Sequence, residues 1–304
     1  MLNSESSDNT FYDVLFINNS VNEEVVNPYE EEVLTKVRQI IEDKSELDRY
    51  IPNIPDIFME LMDELKQEHT DFKKIAKILS KDPIMSARVL ALVNSAYYKR
   101  TNSDISNLLR AISVLGLDTV EAIFVSLMMK DLVQMNPLHY KMFGKQIWQH
   151  SMETAVVCQR LSRDFDIDSV FCCYLLGLMH DIGKVIIFQG MSELWYEQIQ
   201  LKHLGSKPFK QELTKMSVEL SRLTAIEWRL PEHVINGIAN SQKLQHKDAY
   251  SKVLGMANRV SKLHLQVQAN IVTFTDAHLK LLESGFSVTQ ANDCLREVIS
   301  LPPI

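Results

Sequence analysis

The sequence predicts an all-α fold of many short helices joined by short connections. Three observations lead there. Apolar residues recur at helical spacing from Val33 to Ile299, in segments opened by capping residues. Only 9 Gly and 9 Pro occur in 304 residues, too few for a turn-rich β architecture. No long strand, low-complexity run or fixed-period repeat interrupts the pattern.

Residues 1–27 are polar and irregular. Phe11 to Ile17 has strand-like content, and Asn18-Asn19 could turn it back toward Glu24-Val25-Val26, so a short hairpin and a loose tail both fit. From Tyr29, Glu30-Glu31-Glu32 lead into Val33, Leu34, Val37, Ile40 and Ile41. That is a helix with acid at its positive end. Ile51-Pro52-Asn53-Ile54-Pro55 is a stiff, extended lead-in. Ile57, Phe58, Leu61, Met62 and Leu65 then trace an amphipathic face.

Asp71 caps a helix carrying Phe72, Ile75, Ile78 and Leu79. Asp82-Pro83 opens the next, a cap followed by Pro at the first helical position, which runs to Asn94-Ser95. Asn94 and Ser95 are expected to bond to loop backbone where the chain leaves that helix, with Tyr97 and Tyr98 following. Ser106 starts a shorter helix through Leu109, Ile112 and Leu115, stopped by Gly116. Residues 117–135 are apolar almost all round, which predicts a helix buried on most sides. A second block opens at Ile147-Trp148-Gln149-His150-Ser151 and continues through Ala155, Val156, Cys158 and Leu161. Residues 166–179 form a buried helix that delivers His180. Amphipathic segments follow around Trp195, Leu220, Val234, 253–267, 277–282 and 291–299.

A formal net charge of −7 and a pI near 5.7 argue against a nucleic-acid binder that works by neutralising phosphates. No apolar run approaches the ~20 residues that span a bilayer, and Met1-Leu2-Asn3-Ser4-Glu5-Ser6 lacks a signal-peptide pattern. Cys158, Cys172, Cys173 and Cys294 form no CxxC pair. They read as reduced thiols of a cytoplasmic protein.

The stretch most directly tied to chemistry is His180-Asp181-Ile182-Gly183-Lys184, at the end of an apolar run. A neutral imidazole and a carboxylate suit a divalent transition metal. The plainer alternative is a buried His bonded to a carboxylate. Gly183 lets the backbone turn and lets another segment come close. Lys184 could meet an anionic phosphate, a helix end or a local acid.

Several phrases together resemble the HDOD family. They are Ile51-Pro52-Asn53-Ile54-Pro55, the run from Ser80 to Tyr98, Ala111 to Leu117, Trp148-Gln149-His150-Ser151 and the His180–Lys184 block. The resemblance covers roughly 46–245. It implies two helical lobes, 46–135 and 136–245, the second related to HD metal-dependent phosphohydrolases. On this division 1–45 is a tail and helix, and 246–304 completes the second lobe.

The resemblance also implies a ligand set. His150 matches the first His, and His180 with Asp181 match the central pair. Asn258 stands where a late Asp is expected. Ser217, Asn240 and Ser241 stand where two-metal members place further His. His233, His246 and His264 lie off the pattern and read as surface or incidental His. No catalytic residue and no cofactor are therefore expected, a single weak divalent ion being the most the set could hold. Without an ion no bound water has its pKa lowered toward 7. The expected protein is a non-catalytic signal-transduction protein acting through a protein partner or a small ligand, with no nucleic acid and no membrane. The alternative is a divalent-metal phosphohydrolase acting on a nucleotide or phosphodiester.

Overall fold

Asn27 starts the first helix of the computed structural model. Its side chain accepts from the Tyr29 and Glu30 amides, and Glu30 reaches back to the Asn27 amide. The structure describes residues 12, 24–65, 67, 71–132, 138–165, 167, 169–196, 204–241 and 248–301. Among these residues there is no strand, and the all-α expectation holds. Of the expected N-terminal hairpin, Tyr12 is helical and buried, Glu24, Val25 and Val26 form no strand, and the other residues lie outside the described ones.

Helices α1 (Pro28–Glu42) and α2 (Lys44–Tyr50) come first. A group of five follows: α3 (Asp56–Leu65), α4 (Phe72–Leu79), α5 (Pro83–Val93), α6 (Leu108–Leu115) and α7 (Leu117–Leu132), packed on one another. Asp71 and Asp82 cap α4 and α5 as expected. Asn107, not Ser106, caps α6, because its side chain accepts from the Arg110 amide. Gly116 separates α6 from α7 with a φ of +87°, a conformation in which a side chain is strained.

The rest of the chain forms a second group. It comprises α8 (Leu138–Ser162), a 3₁₀ turn (Arg163–Phe165), α9 (Val170–Met179), α10 (Ile182–Tyr196) and α11 (Lys207–Glu227). After these come α12 (Glu232–Asn240), α13 (Ala249–Gln268), α14 (Phe274–Glu283) and α15 (Val288–Ser300). Long α8 is the centre of this group and packs on α9, α10, α13 and α15. The two groups meet where α7 packs on α9. There the Ser126 and Tyr174 hydroxyls lie 2.6 Å apart.

Residues Val170–Leu194 are long and apolar enough to cross a bilayer by length and composition, contrary to the sequence reading. Yet 94% of the most apolar window is buried inside the fold, and His180-Asp181 divides the stretch into α9 and α10. This is the core of a helical group.

Helix α1 packs not on α3–α7, which follow it in sequence, but on α10 and α11. Glu30, with no exposed surface, is the clasp. Its carboxylate accepts from the Gly205 amide (2.8 Å), the Ser206 amide (2.7 Å) and the Ser206 hydroxyl (2.7 Å). Ser206 is the N-cap of α11, so a buried negative charge meets the positive end of that helix.

Asn94 caps the C-terminus of α5. Its amide donates to the Leu90 and Ile105 carbonyls, both at 2.9 Å, and its oxygen accepts from the Ile105 amide at 2.7 Å. The loop to α6 is pinned by one side chain. Asn94→Ala should therefore cost about 1–3 kcal/mol by stranding these groups. The urea midpoint measures it, and an unchanged midpoint would assign Asn94 a purely binding role.

Candidate metal centre

Two glycines bring the helices of this site together. A Cβ on Gly177 of α9 would lie 2.6 Å from the Ala155 Cα of α8. A Cβ on Gly183 of α10 would lie 2.0 Å from the Ser217 carbonyl oxygen of α11. Backbones this close leave no room for a methyl group. The sequence reading of Gly183 as a point of close approach is therefore correct, although the residue is helical and makes no turn. Its amide also donates to the Ser221 hydroxyl at 2.9 Å.

Into that junction come His150 from α8, His180 as the C-cap of α9, and Asp181 just before α10. They are 2%, 5% and 4% exposed. Asp181 Oδ2 lies 3.3 Å from the Nε2 of both imidazoles, and one ligand atom from each residue falls within 4.8 Å of the others. The Lys184 ammonium approaches the same Oδ2 at 2.5 Å. Of the roles the sequence left open for Lys184, the structure selects a partner for a local acid.

One hydrogen bond fixes which nitrogen of the neutral His180 ring carries its proton. His180 Nδ1 lies 2.8 Å from the Gly177 carbonyl, which only accepts, so Nδ1 donates and Nε2 keeps its lone pair. His150 Nδ1 lies 2.8 Å from the Ser261 hydroxyl, which is also 3.0 Å from Glu153 Oε2. The Ser261 hydroxyl also lies 3.2 Å from the His150 carbonyl, so its single proton has three acceptors in reach, and either nitrogen of His150 can carry the proton. Glu153 further accepts from His264 Nδ1 and Gln149 Nε2, each at 2.9 Å.

Burial drives the His180 pKa down to about 4, against the pull of Asp181, so its ring is neutral at physiological pH. Burial alone would raise the Asp181 carboxyl. At the low pH where that group titrates, the protonated His180 ring, the Lys184 ammonium and the bond from His150 outweigh burial and hold it well below the usual carboxylate range. Lys184 is lowered, because burial exceeds the pull of Asp181.

Two imidazole lone pairs and a carboxylate are a donor set for one divalent transition ion. The partners on each Nδ1 are of the kind that orient metal-ligating His. Among the described residues it is the only cluster of this kind. Ser217 donates to the Thr214 carbonyl, Asn240 to Asp248, and Ser241 to the Ile238 carbonyl. Asn258 sits on α13 one turn before Ser261, with a buried Oδ1 that has no hydrogen-bond partner. His233 stacks on Tyr250 with ring centroids 4.8 Å apart, and His246 lies outside the described residues.

His264 is a correction, since it belongs to the polar chain behind His150 and is not incidental. Glu153 and Ser261 were missed as well. Their signal was the pairing of His150 with Glu153 and of Ser261 with His264, each three residues apart and so on one helix face.

The family model described as HDOD domain matches residues 51–244. A Treponema pallidum (strain Nichols) protein is 23% identical over 201 residues, covering 64% of this chain. This chain spans 38% of that relative's length. A solved structure from Shewanella amazonensis SB2B, named as a candidate metal-dependent phosphohydrolase, is 16% identical with a TM-score of 0.61, covering 90% of this chain and 100% of its own. One from Marinobacter aquaeolei VT8, named as a candidate signal transduction protein, is 14% identical with a TM-score of 0.61, covering 93% and 68%. At these identities the structures share the fold, while the family match takes in well over half of the sequence, its proline lead-in and its His–Asp block included: the chain belongs to the HDOD domain family.

Proposed function

We propose that this chain is a non-catalytic regulatory protein of bacterial signalling, acting in the cytoplasm by binding a partner protein. The observation that carries this is the Lys184 ammonium on Asp181 Oδ2, the oxygen both imidazoles face. The chain's own cation already neutralises the one carboxylate of the centre. A metal would have to displace it and would find a neutral amide at Asn258 in place of a further negative ligand. The centre then serves as a polar knot joining α8, α9 and α10, since a buried Asp and two His are costly unless they pair. Partner recognition falls to surfaces elsewhere, with no part for nucleic acid or membrane. Four buried, unbridged thiols fit a reducing compartment.

A second reading, a single-ion phosphohydrolase, is favoured by the His180 Nε2 lone pair, which has no hydrogen-bond partner. The ion would sit on His150, His180 and Asp181 and supply an activated water. Metal analysis separates the two readings. The protein purified in the presence of manganese, zinc or iron should carry no stoichiometric metal. It should leave bis-p-nitrophenyl phosphate intact and melt at the same temperature with and without chelator. A chelator-sensitive melting temperature that metal restores, and that Asp181→Asn abolishes, would establish the second reading.

A further inference from the structure

The formal charge of −7 is not spread evenly along the chain. Residues 71–116 hold eight Lys and Arg against three Asp and no Glu, and helices α4, α5 and α6 carry no acid at all. Lys74, Lys81, Arg88 and Lys99 are neutralised by Glu64, Glu60, Asp131 and Asp104. Lys73, Lys77, Arg100 and Arg110 are exposed and form no ion pair among the described residues. Lys73 and Lys77 stand one turn apart on α4, so their charges add on one face. Phe72 beside them is 57% exposed, and Ile84 at the start of α5 is 76% exposed. Unpaired cations with large apolar side chains among them suit a counterpart that is acidic and partly apolar.

A surface of that description lies on the same chain. Residues 24–50 hold eight Asp and Glu against four Lys and Arg. On the outer face of α1 a groove of about 550 Å³ is lined by Pro28, Glu31, Glu32, Thr35, Gln39 and Leu194, and its exposed lining is mostly apolar. Lys36, also in the groove, is engaged by Glu46 at 3.2 Å and Glu193 at 3.5 Å. Glu32 forms no ion pair among the described residues. The two surfaces do not neutralise each other within one molecule. Helix α1 packs on α10 and α11, and among the described residues no ion pair joins 24–50 to 71–116.

We infer that the basic face of α4–α6 in one molecule docks on the acidic α1 groove of a second copy of this chain, with Phe72 seated in the groove and Lys73 and Lys77 against Glu31 and Glu32. The contact is head-to-tail. Each added copy keeps one free surface, so copies join in sequence, as a ring if the rotation closes and an open row otherwise. The groove supplies apolar burial, and the charges set orientation and the rate of encounter. A lipid surface or a nucleic acid would repel the acidic remainder of the molecule, whereas a second copy brings the matching groove. The contact uses no member of the His–Asp centre and stands whichever reading of that centre holds.

Sedimentation velocity of the full chain tests this. Exposed ion pairs are screened by salt, so the assembly should be salt-sensitive. Wild type at submillimolar concentration and low salt should exceed the 34.9 kDa monomer, and should return to it at about 1 M salt, where the screening length is about 3 Å. Two double variants at exposed positions separate the surfaces. Lys73→Glu with Lys77→Glu, and Glu31→Lys with Glu32→Lys, should each be monomeric at low salt with unchanged circular dichroism. Mixed in equal amounts they should associate again, because the intact groove of the first meets the intact basic face of the second. The Glu31 and Glu32 variant is nearer neutrality than wild type, so net repulsion alone would make it associate more, not less. A wild type that stays monomeric at low salt overturns the inference, and so does a mixture that fails to associate. Binding of that monomer to phosphatidylserine vesicles or to poly-glutamate, lost in the Lys73 and Lys77 variant, would assign the basic face to a lipid or an acidic protein instead.

Discussion

Asp181→Ala should be among the most damaging single substitutions in the chain, at about 3–5 kcal/mol, the cost of removing one partner from a buried ion pair. The reason is what remains. Lys184 is 5% exposed and would keep its amine in the interior without a counter-charge. The loss should not depend on chelator. Asp181→Ala combined with Lys184→Met should recover much of the stability, because the second change removes the stranded charge and keeps the volume. Urea unfolding of wild type, both single variants and the double variant measures this. A double variant no more stable than Asp181→Ala would mean that Lys184 is not the stranded group.

Gly183→Ala should cost at least about 3 kcal/mol, the upper end of ordinary overpacking. Alanine is the better helix former by about 1 kcal/mol, so at a solvent-facing site the same change would stabilise. At Gly183 the new methyl would meet the Ser217 carbonyl oxygen at 2.0 Å and the Ser221 amide nitrogen at 2.8 Å. Both are backbone atoms of α11 and cannot swing aside. Gly190, on the same α10, is the internal control. Its Cβ would meet the flexible end of Ile40 at 3.0 Å, so Gly190→Ala should be mild. Equal effects at the two glycines would show that α10 and α11 are further apart than described.

The helices were legible because each carries a local signal. Asp71, Asp82-Pro83 and Gly116 mark ends by their own chemistry, and apolar spacing marks the buried faces. The His150, His180 and Asp181 cluster was legible only through family phrases, since nothing in spacing shows that α8 and α9 touch. Its surroundings were not legible. Glu153, Ser261 and His264 meet because α8 and α13 pack side by side, and Lys184 finds Asp181 only once α10 has formed. Tyr12 was read as part of a hairpin or loose tail, because a lone aromatic residue in a polar segment carries no local mark of burial. The docking of α1 on α11 escaped for a similar reason. Glu30 reads as one acid among three until Gly205 and Ser206 are seen to face it.

That clasp also says something about the order in which the chain assembles. Glu30 and Gly205 are 175 residues apart, so joining them in an open chain closes a very long loop. The length-dependent part of that closure is about 4–5 kcal/mol. Fixing the backbones of Glu30, Gly205 and Ser206 adds about 1–2 kcal/mol each. Three charge-assisted bonds at about 1.5–3 kcal/mol apiece at best break even against the sum. The clasp therefore cannot nucleate folding. It closes after α10 and α11 have already brought its two halves into reach, and it then acts as a latch on a finished body.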